Sequence, residues 1–319
     1  MKTIFLVISM CLAAVAPQAL AAPDFPAKPV TMVIPFPPGG GNDIVGRFVA
    51  LELGKLWRES VIAESRPGAG GNIGAGAVVR AAPDGHTLLF MSSTYTTNAA
   101  IQPNMPFDPL KDLVLTAVAG LTDMVVTVGN HVPANSVAEL VTAAKAKKMF
   151  FGSTGAGGSV HFASMMFFDA AGIEMTHVPY KGGGQIMVDV LGQRIDVYVG
   201  TASAVLPLVK DNKLRPLATT GTQRIRTLPN TPTLQELGLK GAEMELWWGV
   251  FLPSKTPAAL LTRINADVNR TMARPESVEF LSKQDARPSQ AGVAECARLV
   301  QTEFVKWKAL AEKHNIKPE

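Results

Sequence analysis

PFPPGGGNDIVGRFVA, residues 35–50, sets Pro37-Pro38 and Gly39-Gly40-Gly41 directly before a segment with helical spacing. Upstream, Val30-Thr-Met-Val-Ile-Pro reads as a buried strand. Downstream, Ile44, Val45, Phe48, Val49, Leu53 and Leu56 recur at three- and four-residue intervals, one face of a helix. Asp43 stands where an N-cap or first-turn acid is favoured. Strand, glycine turn and helix are the opening unit of a parallel α/β sheet. A glycine turn before a helix leaves N–H groups open, and with the helix dipole they favour an anion. Glycine suits that task because a side chain would keep the ligand off the backbone. The competing reading is that the glycines only make a tight turn.

The rhythm continues outward. Val61-Ile-Ala is a second strand, Arg66-Pro-Gly-Ala-Gly-Gly-Asn-Ile-Gly a second glycine turn leading to a short helix, and Thr87 to Met91 a third strand. It then restarts. Met124 to Val128 is a strand, Ser136 caps a helix over 137–147, and Phe150-Phe-Gly is a strand. A glycine turn over 153–159 feeds a helix from about Val160 to Gly172. Thr176 to Val178, a turn at 180–184, a helix from Gln185 to Leu191, and strands at Ile195–Val199 and Leu214–Thr219 follow. Glu245 to Leu252, carrying Trp247 and Trp248, is a late strand with one tryptophan facing in and the other out. Helices over about 257–273 and 291–313 close the chain. A late strand followed by helices implies a return to the first unit. The expected fold is α/β: two doubly wound domains joined by a two-crossing hinge, with a ligand cleft between them. The expected boundaries are 22–123 plus 230–319 for the first domain and 124–229 for the second.

Residues 1–21 read as a secretory signal peptide: Lys2, an apolar run from Ile4 to Ala16, and the small-x-small site Ala19-Leu20-Ala21. Cleavage near Ala21/Ala22 places the chain in the periplasm. Met10 before Cys11 lacks the small residue a lipid anchor wants. The region from Leu113 to Val128 comes closest to a membrane span but is interrupted by Gly120 and Asp123. Thirty basic residues face 26 acidic ones, net +4, and no basic cluster supports nucleic-acid binding. After the leader only Cys296 remains, so no internal disulfide can form. Cys296 reads as a buried, inert thiol.

Catalytic and cofactor signatures are missing from this sequence. Gly41-x4-Gly46 matches half of a phosphate loop, but Arg47-Phe48 follows where Lys-Ser/Thr is required. Gly157-Gly158-Ser159-Val160-His161 fails the nucleophile-elbow pattern at its last position. His86, His131, His161, His177 and His314 have no metal-ligand spacing. The expectation is no cofactor, no metal and no catalysis. His161 is a binding candidate because it lies in the first turn after a glycine loop. Tyr180, Lys181 and Gly182 could reach an anion across the cleft, with Thr201 and Trp248 as further lining. Asp43 could accept a ligand amine, and Arg47 reads as solvated.

Taken together, Pro35-Phe-Pro-Pro-Gly-Gly with Asp43, Pro83-Asp-Gly-His-Thr-Leu-Leu, Gly152-Ser-Thr-Gly-Ala-Gly-Gly-Ser-Val-His, Val178-Pro-Tyr-Lys-Gly-Gly-Gly, Leu228-Pro-x-x-Pro-Thr and Trp307 resemble the Bug family. These are periplasmic substrate-binding proteins of tripartite tricarboxylate transporters. The resemblance covers essentially the whole chain after the leader. It implies a type II periplasmic-binding-protein fold that closes on a small carboxylate, and membrane transporter subunits as partners of a monomeric receptor. It also implies a site in the loops holding Phe36, Pro38, Gly39, Gly40 and Asn42, and holding Ser153, Thr154, Gly155, Ala156, Gly158 and Ser159. One stretch departs from the family pattern. Ser92, Ser93, Thr94, Tyr95 and Thr97 lie in a Thr-rich segment where the family often carries a histidine. Read as a loop, it would offer the ligand's far end hydroxyls and an aromatic ring. An aromatic carboxylate or a dicarboxylate is then as compatible as citrate. A hydrolase or isomerase, or a two-lobed ligand sensor, remain the competing classes.

Overall fold

The computed structural model describes residues 25–317 apart from Pro103 and His314; the signal-peptide reading of 1–21 and the reading of His314 lie outside the described residues. Strands β1 (Val30–Ile34), β2 (Val61–Ser65) and β3 (Thr87–Ser92) are parallel, with β1 between the other two. Helix α1 (Gly41–Trp57) crosses from β1 to β2, and α2 (Asn72–Val79) from β2 to β3. Helix α3 (Thr94–Ile101) follows β3 directly.

Strand β4, Leu113–Gly129, belongs to both halves of the molecule. Its first part, Leu113 to Asp123, pairs antiparallel with β9 (Glu245–Pro253) beside β3. Its second part, from Met124, pairs with β7 (Val197–Thr201) and β8 (Leu214–Thr219). The strand expected at Met124–Val128 is therefore the distal third of a 17-residue element. Gly120 and Asp123, which break the apolar run, do not break extended backbone.

Beyond β4 the second sheet runs β7, β5 (Phe150–Ser153), β6 (Thr176–Pro179), the last three mutually parallel. Helices α4 (Val137–Ala146), α5 (Ser159–Ala171), α6 (Gly183–Leu191) and α7 (Ala202–Lys210) connect these strands. The chain returns through 220–244 to β9, making the second crossing, and ends in α8 (Ala258–Met272), α9 (Pro275–Lys283), β10 (Ala286–Arg287) and α10 (Val293–Lys313). Two α/β lobes joined by two crossings constitute the type II arrangement expected from the sequence.

Both tryptophans of β9 are buried, at 2% and 0% exposure, so neither faces solvent. They serve opposite faces. Trp247 donates its Nε1–H to Glu303 of α10 at 2.9 Å, while Trp248 packs toward the space between the lobes. The other Glu303 oxygen accepts from Thr96 Oγ1 at 2.6 Å, which fixes α3 against β9 and α10. Burial holds the Glu303 carboxyl above its usual range. Trp307 of α10 reaches across to Phe162 of α5, ring centres 5.5 Å apart, so the lobes also meet behind the sheets. Cys296 is fully buried, and burial pushes its thiol up to about 11, the signature of an unreactive packing residue.

Candidate functional site between the lobes

Five helices begin at the space between the lobes: α1, α3, α5, α6 and α7. Their N-cap residues are Gly40, Ser93, Gly158, Gly182 and Thr201, and none makes a side-chain capping bond. Elsewhere α4 is capped, Ser136 Oγ accepting Glu139 N–H at 3.2 Å, while α2, α8 and α9 also lack a side-chain cap. First-turn N–H groups have no intrahelical acceptor, so uncapped N-termini gathered in one place make a positive potential without a charged side chain.

They surround a cavity of about 40 Å³. Phe36, Gly40, Asn42, Ser92 and Thr94 line it from the first lobe. Thr154, Gly182 and Thr201 line it from the second, and Trp248 comes from β9. Pro37, Gly41, Val160, Gly183, Tyr198 and Leu246 complete the wall. Sequence reading did not single these out, although Gly41 and Gly183 sit inside glycine runs it quoted. Tyr198 and Leu246 lie within strands, where nothing local marks a cleft residue. No Asp, Glu, Lys or Arg lines this cavity. Two polar atoms here are buried without a hydrogen-bond partner, Trp248 Nε1 and Asn42 Oδ1. An unpartnered buried indole N–H is costly unless something accepts it.

The lobes press together around the cavity. Ser159 Oγ lies 2.8 Å from Thr94 Oγ1 and 3.1 Å from Ser93 Oγ, and Ser159 N–H points to Thr94 Oγ1 at 3.3 Å. Gly182 packs on Pro37, where an added Cβ would stand 3.0 Å from the ring. Gly41 is tighter still: a Cβ there would meet Thr201 Oγ1 at 2.8 Å.

A second space of about 390 Å³ opens outside the first and shares Thr154 with it. The Gly68–Gly71 turn lines it on one side, and Gly155, Tyr180, Lys181 and Gln185 on the other. Tyr180 turns its hydroxyl to Asp189 at 2.7 Å, so its phenol serves its own lobe. Lys181 is exposed, and no ion pair holds its ammonium among the described residues.

Several expected contacts fall elsewhere. The Thr-rich segment is helix α3, not a loop, and only its N-terminal end reaches the cavity. Tyr95 is 1% exposed and donates its hydroxyl to Pro109 O at 2.6 Å, and Thr97 bonds Thr94 O at 3.2 Å. Both belong to the core because Glu303 and Pro109 satisfy that helix from behind. Asp43 accepts Gly39 N–H at 3.1 Å and Arg47 Nε at 2.6 Å, which ties the glycine turn to the first turn of α1. Pro38 and Gly39 are exposed on the outer side of that turn, with Gly39 at φ +92°. His161 is 8% exposed and accepts Gly157 N–H on Nδ1 at 3.0 Å. Ser159 and His161 therefore bond different partners and form no nucleophile–base couple. Ser153, Ala156 and Gly158 shape the same loop without lining the inner cavity. Among the described residues no group of three His, Cys, Asp or Glu side chains is placed to hold a metal ion.

This fold, a charge-free cleft walled by helix N-termini, is that of a two-lobed solute-binding protein. Residues 45–316 match the family described as tripartite tricarboxylate transporter family receptor, and the chain belongs to it. Protein BugT of Bordetella pertussis is 29% identical over 95% of this chain and 95% of its own. A Rhodopseudomonas palustris protein solved with adipate superposes with TM-score 0.89 at 29% identity, covering 92% of this chain and all of that one. MatC of Rhodopseudomonas palustris, solved with bound malate, gives 0.84 at 26%, covering 90% and 99%.

Proposed function

We propose that this protein captures a small organic carboxylate in the periplasm, closes its lobes on it, and delivers it unaltered to the membrane subunits of a tripartite transporter. The observation that carries this reading is the meeting of five helix N-termini around a cavity without charged side chains. A hydrogen bond to a charged group contributes about 1.5–3 kcal/mol net. Three or four of them around one carboxylate support roughly micromolar affinity after ordering losses. The inner cavity has room for about three waters, the volume of a carboxylate head rather than a whole diacid. The outer space, with Lys181 at its edge, suits a second acidic group. A linear dicarboxylate of the adipate or malate kind fits both, in line with the acids held by the two similar Rhodopseudomonas proteins.

Closure divides the chain into lobes 22–123 plus 230–319 and 124–229, turning at Asp123/Met124 and at 220–244, and the protein acts as a monomer. Titration calorimetry of protein refolded free of co-purified ligand, against adipate, malate, citrate, terephthalate and glutamate, tests the reading. Micromolar binding of a diacid, with the acid recovered unchanged and the scattering profile more compact, is expected. Failure of every acid to bind would end it.

A further inference from the structure

The loop over 153–159 supplies Thr154 to both cavities and Ser159 to the lobe contact, yet its own backbone is soft. Gly155 and Gly157 take φ of +108° and +75°, conformations that glycine enters and leaves freely. Two imidazoles hold it. At its start, Ser153 Oγ donates to Gly155 O at 2.9 Å and lies 2.6 Å from His177 Nε2. The serine has one proton, and Gly155 O takes it, so His177 donates its Nε2–H to Ser153 Oγ. At its end, Gly157 N–H donates to His161 Nδ1 at 3.0 Å, so His161 carries its proton on Nε2. The two rings lie parallel, 5° apart in plane and 4.2 Å between centres, and both stack on Phe151 of β5.

We infer that His161 and His177 are a positioning pair: stacked imidazoles that fix the carboxylate-binding loop at both ends without touching the ligand. The inference rests on the proposal that this cleft takes a carboxylate. Neutrality is built in for His161. Burial, and His177 beside it, push its imidazolium down to about 3. A protonated Nδ1 would face the Gly157 N–H donor to donor.

The two nitrogens allow a chemical test, because an asparagine Oδ1 stands near the place of Nδ1 and a glutamine Oε1 or Nε2 near that of Nε2. His161→Phe keeps the stack and loses the acceptor; His161→Asn loses the ring and keeps the acceptor. His177→Gln keeps a donor toward Ser153. Two readouts are taken on the full chain: amide exchange at Gly157 without ligand, and adipate affinity by calorimetry. The expected result is loss of Gly157 protection and about tenfold weaker adipate binding in His161→Phe. Both should recover in His161→Asn, and His177→Gln should stay near wild type. Nitrogen chemical shifts should show His161 as the neutral Nε2–H tautomer from pH 5 to 8. Equal Gly157 protection in wild type and His161→Phe would overturn the inference, as would His161→Asn proving as damaging as His161→Phe. The exchange readout decides the question even if wild type binds no adipate, an outcome that bears on the cleft reading instead. Should His161→Phe fail to fold, His161→Asn and the tautomer measurement still decide.

Discussion

Two of the interlobe cavities are opposite in character. The cleft, about 40 Å³, is lined by glycines, hydroxyls and apolar rings and has no ionisable acid or base in its wall besides Tyr198. The hinge cavity, about 610 Å³, is lined by Asp123, Arg224, Arg226, Glu243, Glu245, Asp285 and Arg287. The charged side chains collect where the chain turns and not where an acid would be held. A cleft that attracts anions by oriented amides needs no counter-charge to desolvate on closure, and its attraction does not titrate. The hinge, by contrast, carries groups that respond to pH and salt.

The largest expected effect comes from putting side-chain bulk into the cleft. In Gly41→Leu the new Cβ would meet Thr201 Oγ1 at 2.8 Å, Ser203 Oγ at 2.9 Å and the Trp248 ring at 3.2 Å. The lobes then cannot close. Binding should weaken by about 100-fold or more, on the order of 3 kcal/mol, while the helix still forms. Calorimetry reads the affinity, and small-angle scattering should show no compaction with ligand. Next in size is Trp248→Phe, which removes the one buried indole N–H facing the cleft without a partner. About 1.5–3 kcal/mol of binding should be lost if the ligand carboxylate accepts that proton. An unchanged affinity in this variant would show that the indole only packs.

These two positions also show what a sequence discloses. The turn that carries Gly41 was legible, though not that residue by itself, because a glycine run before a helix permits close approach of backbone. The strand and helix rhythm was legible because period 2 and period 3.6 patterns survive in buried elements. Helix α3 was not. Thr94-Tyr-Thr-Thr-Asn has poor helix propensity, and the segment folds because Glu303, over 200 residues away, accepts from Thr96, and Pro109 from Tyr95. Long-range partners of that kind leave no local trace. For the same reason Asp43, which sequence position left between cap and ligand contact, is decided only by the nearness of Gly39 and Arg47.

The hinge side of the comparison is sharpened by Asp123, the last residue of β4 paired to β9 before Met124 joins the second sheet. Burial first, then the Glu245 carboxylate, push Asp123 up to about 6 against the pull of Arg287, which bonds Glu245 at 2.6 Å; Asp285 adds a lesser push. The folded pKa is above the ordinary 3.8, so the folded chain binds the extra proton. Its contribution is therefore most favourable at acid pH and is lost as pH rises through 6. Asp123→Asn removes that penalty. The variant should be more stable than wild type at pH 8, on the order of 1–3 kcal/mol, with the difference shrinking toward pH 4. Urea midpoints at the two pH values measure it. A variant less stable at pH 8 would mean that the ionised carboxylate is held favourably after all. Ligand affinity measured at neutral pH should change little if charge at the hinge and capture in the cleft are separate.

Lys181 is where the two regimes meet, since it is a lone cation at the mouth of an otherwise uncharged site. It is exposed, so water and salt screen whatever it attracts, and an exposed ion pair contributes about 0.2–1 kcal/mol. Lys181→Met should therefore weaken a dicarboxylate only about two- to fivefold. The loss should fade as salt is raised to several hundred millimolar. A monocarboxylate of similar length, held only by the inner amides, should bind the variant and the wild type equally. A loss shared by both acids would place Lys181 at the first carboxylate, and the division of labour between amide-lined interior and charged rim would have to be abandoned.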